Sequence, residues 1–380
     1  GALEIWKHSP ILGSGVETFA YTYYNFRPLA HNEVTEWDFL YNKAHNEYLN
    51  FLATTGVVGL GSYLLLICSY LFWVTKQIPN SKSSSPKKNH NSLFTIHYSL
   101  LAGFVTILIT NFFGFSVVVI GLLFFLIPAL SVALILKKPK TPSYSKKITF
   151  KQKRQLLLLA FFCLSLISFP IRFWIADLYY ARADKAFSDQ EFQAAFENIT
   201  QAINLKPREA EFHDDLALTA ASLAQLAFQQ DEKNLTEELT QLATSQSDLT
   251  LKLNQYHLNY WKNRTRVLLR LADIDSKYRQ KALDSLLRAT LLAPTDAKIT
   301  YNLALIYDQL DQRQTAIQTL KKAIEQKDNY QQARFALALY LYEEGQTPEA
   351  IEQLTYIIEK INPTDEAIKQ LIEDWEKKSR

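Results

Sequence analysis

The chain has 380 residues, enough for two or three domains, and its net charge is only +3. The charge is segregated: residues 176–380 carry 25 basic and 32 acidic side chains, whereas residues 76–92 and 137–154 carry four and eight basic side chains and no acidic ones. Such segregation indicates membrane topology and argues against a nucleic-acid-binding patch. The two cysteines, Cys68 and Cys163, lie in apolar stretches, which argues against a disulfide framework or a thiol metal site.

Residues 1–55 predict a loop, because they mix aromatic side chains with Gly and Pro and show no long periodic pattern. Tyr and Trp suit a membrane–water interface, where both ring and polar tip are satisfied. Near the end of this loop stand His45 and Asn46. After nine more residues comes Gly-Val-Val-Gly at positions 56–59.

Four stretches with no charge apart from Arg172 predict transmembrane helices, since a helix of about 20 residues spans about 30 Å. They cover residues 56–75, 93–112, 116–136 and 155–175. Asn111 and Gly114 predict the turn between the second and third, and Pro170 with Arg172 predicts a break near the far end of the fourth. The alternative, very large buried core helices, fits four such stretches poorly.

The basic segments orient these helices. Lys and Arg concentrate in cytoplasmic loops, so residues 76–92 and 137–154 are expected in the cytoplasm. Residues 1–55 and 176–380 are then both extracytoplasmic. The sequence predicts a multi-pass protein of the cytoplasmic membrane.

Residues 176–380 predict tetratricopeptide-like repeats. Ala282, Ala316 and Ala350 recur at the tetratricopeptide period of about 34 residues, and Ala304 and Ala338 show the same spacing. Paired antiparallel helices approach closely only where side chains are small. An earlier unit has small residues and a proline at the same internal offsets, namely Ala183, Ala195, Ala202 and Pro207.

Between residues 207 and 263 the register of the repeats is lost, which predicts a degenerate second repeat with longer helices. The predicted fold class is all-α: polytopic transmembrane helices followed by an α-solenoid of helix pairs.

One motif carries a family resemblance. His45-Asn46, nine residues and Gly56-Val57-Val58-Gly59 resemble the signature of the bacterial O-antigen ligase/polymerase family of membrane glycosyltransferases. The upstream run Pro10-Ile11-Leu12-Gly13-Ser14-Gly15 is similar to the stretch that precedes this histidine in the family's external loop. The resemblance covers residues 1 to about 136. It implies glycan transfer or polymerisation from an undecaprenyl-diphosphate carrier in cell-envelope polysaccharide synthesis, with no metal or other cofactor.

The resemblance implies roles for several residues. His45 would take a proton from the acceptor hydroxyl or stabilise the leaving diphosphate, since imidazole titrates near neutrality. Arg27, the only arginine before the first span, would hold the carrier diphosphate. Asn46, Glu47, Lys43 and Glu17 are candidates for substrate binding. Gly56 and Gly59 are expected to serve close helix packing.

Members of this family usually have about ten or more spans and an essential upstream arginine, so this chain is expected to be the C-terminal part of such an enzyme and inactive alone. The expected partners are membrane lipid, a polyprenyl-linked glycan donor, an unidentified acceptor and a protein bound by the repeats. The alternative is a membrane-anchored tetratricopeptide scaffold that recruits envelope proteins without catalysis. A transporter fits less well, because the predicted spans contain almost no charge.

Overall fold

The structure is a computed structural model that describes residues 1–39, 41–77, 88–135 and 149–379. All regular structure in these ranges is helical. The chain divides into two compact units. The N-terminal unit comprises residues 1–26 and 39–147, and the repeat unit comprises residues 27–38 and 148–380.

In its described residues, the N-terminal unit contains two short α-helices, the 3₁₀ helix Tyr23–Phe26 and three long α-helices. The α-helices are α1 (Ala2–His8), α2 (Phe19–Thr22), α3 (Glu47–Gln77), α4 (Lys88–Phe113) and α5 (Val118–Ile135). Large apolar side chains from α3, α4 and α5, among them Ile67, Phe104 and Phe124, form its core. The turn between α4 and α5 follows Phe113, where Asn111 and Gly114 predict it.

Two helices of the described chain are long and apolar enough to cross a membrane, within Glu47–Lys76 and Phe150–Ser188. The apolar parts of the other two predicted spans are shorter, Tyr98–Phe113 and Val118–Leu134. The structure thus has two such helices where the sequence predicts four. Most of the basic segments 76–92 and 137–154 lies outside the described residues, so their predicted cytoplasmic position stays a prediction.

The repeat unit begins with a 39-residue helix, α6 (Phe150–Ser188). A capping box starts it: the Thr149 side chain accepts from the amide of Gln152, and the Gln152 side chain accepts from the amide of Thr149. The predicted break near Pro170 and Arg172 is wrong, because α6 continues through Pro170. Pro170 removes one helical hydrogen bond, but the remaining bonds hold the helix together.

Ten helices follow α6 in the described chain; α6 to α15 pack in successive pairs, and α16 packs against α15. The ten helices are α7 (Phe192–Leu205), α8 (Ala210–Gln229), α9 (Lys233–Leu253), α10 (Leu258–Ala272), α11 (Lys277–Leu292), α12 (Ala297–Gln309), α13 (Arg313–Gln326), α14 (Gln331–Glu343), α15 (Thr347–Tyr356) and α16 (Glu366–Ser379). A π-helical turn, Ile357–Ile361, extends α15.

The regularly spaced alanines lie where the helices of this solenoid meet. Ala282, Ala316, Ala350, Ala304 and Ala338 all have no exposed surface. Their small side chains allow the close helix approach that the spacing predicts. The solenoid of helix pairs is therefore confirmed.

The second repeat also agrees with the prediction of longer helices. Helices α8 and α9 have 20 and 21 residues, whereas α12 and α13 have 13 and 14. The loss of register after Pro207 reflects this added length. The first repeat takes its first helix from the end of α6, where Ala183 packs against α7.

One segment of the N-terminal loop belongs to the repeat unit. Residues 27–38, hereafter the docked segment, pack against the turns that precede α12 and α14. The turn Leu29–Glu33 within it is a 3₁₀ helix. No local signal in the sequence predicts this contact, because the hydrogen-bond partners of Asn32 are 263 and 294 positions away along the chain.

Candidate functional sites

Helix α3 of the N-terminal unit is interrupted at Gly56, whose φ of 63° and ψ of −165° lie outside the helical region. The loop of residues 10–15 fills the interruption. The amides of Val57 and Val58 donate to the carbonyls of Pro10 and Ile11 at 2.9 and 3.3 Å. On the other side, the carbonyls of residues 53 and 54 accept from the amides of residues 14 and 15 at 3.0 and 2.9 Å. These four bonds satisfy groups that the break removes from the helix.

Glycine is required on both sides of this contact. A Cβ on Gly56 would overlap the carbonyl of Ile11, and a Cβ on Gly13 would overlap the backbone of Thr54. Gly56 thus allows the approach of a loop, which corrects its expected role in helix–helix packing. A Cβ on Gly59 would first meet the side chain of Thr55, one turn earlier in the same helix, and the role of Gly59 in helix packing stays a prediction.

His45 is exposed and lies just ahead of α3. Its ring contacts two aromatic rings, those of Tyr41 at 6.2 Å and Phe115 at 5.5 Å between centroids. The ammonium of Lys43 lies 5.9 Å from the centre of the Phe115 ring. The imidazole therefore stands at an open surface bordered by aromatic side chains and one cation.

The other predicted substrate-binding residues of this unit mostly bind one another or the backbone. Asn46 caps α3: its Oδ1 accepts from the amide of Leu49 at 2.9 Å, while its Nδ2 donates to the carbonyl of Phe112 at 2.9 Å. Lys43 forms an ion pair with Glu17 at 3.2 Å, partly exposed. These contacts hold the loop next to His45 in place.

Glu47 binds the turn between α4 and α5. Its side chain is partly buried, and its Oε2 accepts from the amide of Ser116 at 3.3 Å. Ser116 in turn donates to Oδ1 of Asn111 at 3.0 Å. The sequence marked Asn111 only as a turn residue and did not assign Phe115 or Ser116 to the site. These residues are polar or aromatic and lie inside a long uncharged stretch, and that is the feature of the sequence that could have assigned them to the site.

Arg27 belongs to the repeat unit and is only 3% exposed. Its guanidinium donates to Oδ1 of Asn32, and its Nη1 lies 3.6 Å from Oδ2 of Asp296. In this arrangement the guanidinium is enclosed by protein. Binding a carrier diphosphate, the role predicted for it, would require the docked segment to leave the repeats.

The repeat unit contains a pocket of about 630 Å³ that lies between α6, α8 and α10 and is also lined by Phe192 and Ile199 of α7. Apolar side chains line one part of it, namely Phe187, Ile199 and Leu218. Charged side chains line the rest, namely Asp184, Asp215, Arg266 and Arg270. Such a mixture is typical of a surface that binds a peptide or helix of another protein.

Two adjacent carboxyl groups of α8 have unusual electrostatics. Burial raises the pKa of Asp214 to about 8, although Asn263 donates to its Oδ2 at 2.5 Å. Burial also raises the pKa of Asp215, at the pocket wall, to about 6. The charge of the pocket therefore changes near neutral pH. The described residues contain no cluster of His, Cys, Asp and Glu suited to hold a metal ion.

Comparison with protein families and known structures concerns the repeat unit. Residues 310–375, which cover most of α13 to α16, match the family model of a tetratricopeptide repeat. A comparison with curated protein sequences finds no match.

Solved structures of similar repeat proteins match about half of the chain. MamA from Desulfovibrio magneticus RS-1 is 21% identical over 50% of this chain and 97% of its own, with a TM-score of 0.39. A thermophilic tetratricopeptide protein of Thermus thermophilus is 19% identical over 53% and 98%, with a TM-score of 0.37. YrrB, described as having an unusual peptide-binding site, is 16% identical over 52% and 90%, with a TM-score of 0.37. Residues 310–375 are thus similar to a tetratricopeptide repeat, and the helix pairs of the C-terminal part form a tetratricopeptide-like solenoid.

Proposed function

We propose that the chain is a membrane-anchored scaffold whose tetratricopeptide repeats recruit another protein of the cell envelope. The observation that carries this proposal is the pocket between α6, α8 and α10, which combines apolar and charged side chains. Tetratricopeptide helices stack into surfaces that bind peptides and helices.

The residues that line the pocket indicate which kinds of side chain a partner would present to it. An apolar side chain of the partner would pack between Phe187 and Leu218, because these provide the uncharged part of the wall. An acidic group would pair with Arg266, which is exposed. The acidic excess of residues 176–380 favours a partner that is otherwise basic.

A photo-crosslinking amino acid at Ser188, an exposed position of the pocket rim, tests the proposal in cells. We expect one envelope protein to be captured from this position, and Arg266→Ala to reduce its capture about tenfold, the effect of losing a central arginine. Arg288→Ala, which removes an exposed arginine on α11, is the matched control and should leave capture unchanged. Equal capture by the two variants would argue against the pocket as the binding site.

One observation supports the membrane anchor, and a second supports the proposed topology. The most apolar window of α6 has none of its residues buried in the structure, and its exposed Leu and Phe side chains call for an apolar cover such as lipid. The docked segment contacts the repeats, so residues 27–38 and the repeats must lie on the same side of any membrane. That arrangement is also the one that the loop charges favour.

As a second function, we propose that the N-terminal unit is part of a glycosyltransferase active site of the O-antigen ligase/polymerase type. The specific support is that both motifs of the resemblance form one structure: residues 10–15 fill the break of α3 at Gly56, close in sequence to the exposed His45. An exposed imidazole has access to an acceptor hydroxyl or a diphosphate. The donor is proposed to be an undecaprenyl-diphosphate-linked glycan.

The test is His45→Ala in the natural protein in cells, with surface glycan measured by lectin or antibody binding. We expect at least a hundredfold loss, the range of removing a general base. His8→Ala, which removes an exposed histidine at the end of α1, serves as control. Normal glycan in the His45 variant would eliminate catalysis by this residue and leave the scaffold function standing.

A further inference from the structure

The docked segment, residues 27–38, binds the repeats through several specific polar contacts. Nδ2 of Asn32 donates to the carbonyls of Thr295 and Gln326 at 2.8 and 2.9 Å. The hydroxyl of Thr295 donates to the carbonyl of Arg27 at 3.1 Å, and the ammonium of Lys327 donates to the carbonyl of Asn32. Asn32 has no exposed surface, so one side chain joins two successive turns of the solenoid.

Charged and aromatic contacts flank this central asparagine. On one side, Arg27 faces Asp296, both nearly inaccessible to solvent. On the other side, the Trp37 ring meets the Tyr330 ring edge-on at 5.3 Å between centroids, with the ammonium of Lys327 5.0 Å from the indole. The arginine, asparagine and tryptophan are evenly spaced along the segment, and each contacts the repeats.

The segment uses equivalent positions of two successive repeats. Asp296 and Tyr330 lie one repeat period apart, and each directly precedes the first helix of its repeat, α12 or α14, whereas Lys262 is the fifth residue of α10. Asp296 faces Arg27, Tyr330 contacts Trp37, and Lys262 interacts electrostatically with Asp296 and Arg27. The starts of α12 and α14 thus carry an acid and an aromatic ring at the same position, and Lys262 of α10 interacts with the acid. These residues form the edge of the repeats that the docked segment contacts.

Burial of Asp296 makes this edge selective for a segment that carries an arginine opposite it. One oxygen of Asp296 caps α12 by accepting from the amides of Lys298 and Ile299, while the other faces Arg27. A buried carboxylate without a cation is strongly disfavoured, so a segment that lacks arginine at this point should bind poorly. Burial also lowers the pKa of Lys327, consistent with a desolvated interface.

We propose that this edge of the repeats is a binding site for the Arg–Asn–Trp segment, distinct from the pocket between α6, α8 and α10, and that the chain occupies it with its own loop. The repeats thereby hold residues 27–38, which continue in the chain to the residues before His45. The site would also bind a separate peptide with the sequence of the docked segment. This binding becomes measurable when substitutions weaken the contacts between the chain's own docked segment and the repeats.

The first experiment uses a fluorescent peptide of residues 25–39 and the full chain in detergent, followed by fluorescence anisotropy. The built-in copy has an effective concentration on the order of millimolar, so the wild-type chain should not bind micromolar peptide. The chain with Arg27→Ala and Trp37→Ala should bind it at least tenfold more tightly, since its own copy has lost two anchors.

The control peptide carries the same two substitutions and should bind neither chain. Circular dichroism of the double variant must show folded repeats for the comparison to hold; a version with Asn32→Ala alone replaces it otherwise. Equal peptide binding by wild-type and variant chains, or no binding by a folded variant, would overturn the proposal.

A second experiment identifies the occupant. The ammonium of Lys298 lies 2.8 Å from Oδ2 of Asp38, close enough for a carbodiimide to join them by an amide bond with loss of water. In a mixture of light and heavy isotope-labelled chains, we expect this crosslink only within one chain, and its absence in Asp38→Asn. Crosslinks between light and heavy chains would show that a second copy supplies the segment, contrary to the proposal.

Discussion

Gly56 combines two requirements that only glycine meets. Its φ of 63° and ψ of −165° fall in a region that other residues avoid, and its missing Cβ leaves room for the carbonyl of Ile11. Gly13 meets the same demand from the opposite side, with φ of 69°. The contact between loop and helix therefore depends on a pair of glycines, one in each partner.

Replacement of Gly56 by alanine should destabilise the N-terminal unit. Backbone strain and the displaced loop together should lower the free energy of unfolding by about 2–4 kcal/mol. Thermal unfolding in detergent, followed by near-ultraviolet circular dichroism, measures this. Gly61→Ala is the control: it lies in the same helix with no atom within 4 Å of the added Cβ, and it should stabilise by about 0.5–1 kcal/mol. Equal effects of the two changes would refute the explanation.

The sequence predicted close packing at Gly56, but not that a loop is what approaches it. The apolar sequence of α3 has the pattern of an uninterrupted helix. The break is not visible in it, because a loop much earlier in the chain creates the break. Arg27 illustrates the same limit. Its residue type suggested a phosphate ligand, whereas its partner Asp296 lies in a distant part of the chain and no local pattern pairs them.

Among the helices, α8 is the most enclosed, with neighbours α7, α9 and α10. Thirteen of its 20 residues are buried, including Asp214. The carboxyl group of Asp214 is held protonated by this burial, with a pKa of about 8. The helix thus carries a buried acid that is stable in its neutral form.

The stability of the repeat unit should fall as pH rises from about 4 to 8. In this range the folded state keeps the proton of Asp214 while the unfolded chain, with an ordinary carboxyl pKa, releases it. Asp214→Asn mimics the protonated acid, so its melting temperature should exceed that of the wild type by more at pH 8 than at pH 5. Asp284→Asn, an exposed site on α11, should shift stability equally at both values.

Helix positions in the repeats were the most predictable part of the fold. Alanines at a regular spacing specify where helices touch, and this requirement is local enough to appear in the sequence. The end of the fourth predicted span was less predictable. Pro170 usually stops a helix, but in α6 it does not, because apolar and repeat segments share one continuous helix.

At the scale of the whole molecule, large apolar surfaces remain exposed on α6 and on α3 to α5, while the repeats bury most of their large apolar side chains. The two cysteines, Cys68 and Cys163, lie on the apolar surfaces and are themselves exposed in the structure. The proposed membrane would cover both. Their reactivity therefore reports on lipid around this part of the chain.

In spheroplasts, a charged maleimide should label neither Cys68 nor Cys163, because the lipid hydrocarbon excludes a charged reagent. Ser245→Cys, an exposed position of the repeats, should be labelled, since the repeats are proposed to be extracytoplasmic. Mass spectrometry of tryptic peptides gives the extent at each site. Rapid labelling of the native cysteines before denaturation would contradict the membrane anchor, and an unlabelled thiol in the Ser245→Cys variant would contradict the orientation.

The continuity of α6 also has a mechanical consequence. Its 39 residues make a rod about 58 Å long, whose end is the first helix of the solenoid and a wall of the pocket. With the apolar half in lipid, as proposed, α6 connects the membrane segment rigidly to the repeats and is not a flexible linker. Each residue added between its two halves would rotate the pocket by about 100° around the helix axis. The number of residues in α6 therefore determines which way the pocket faces around that axis.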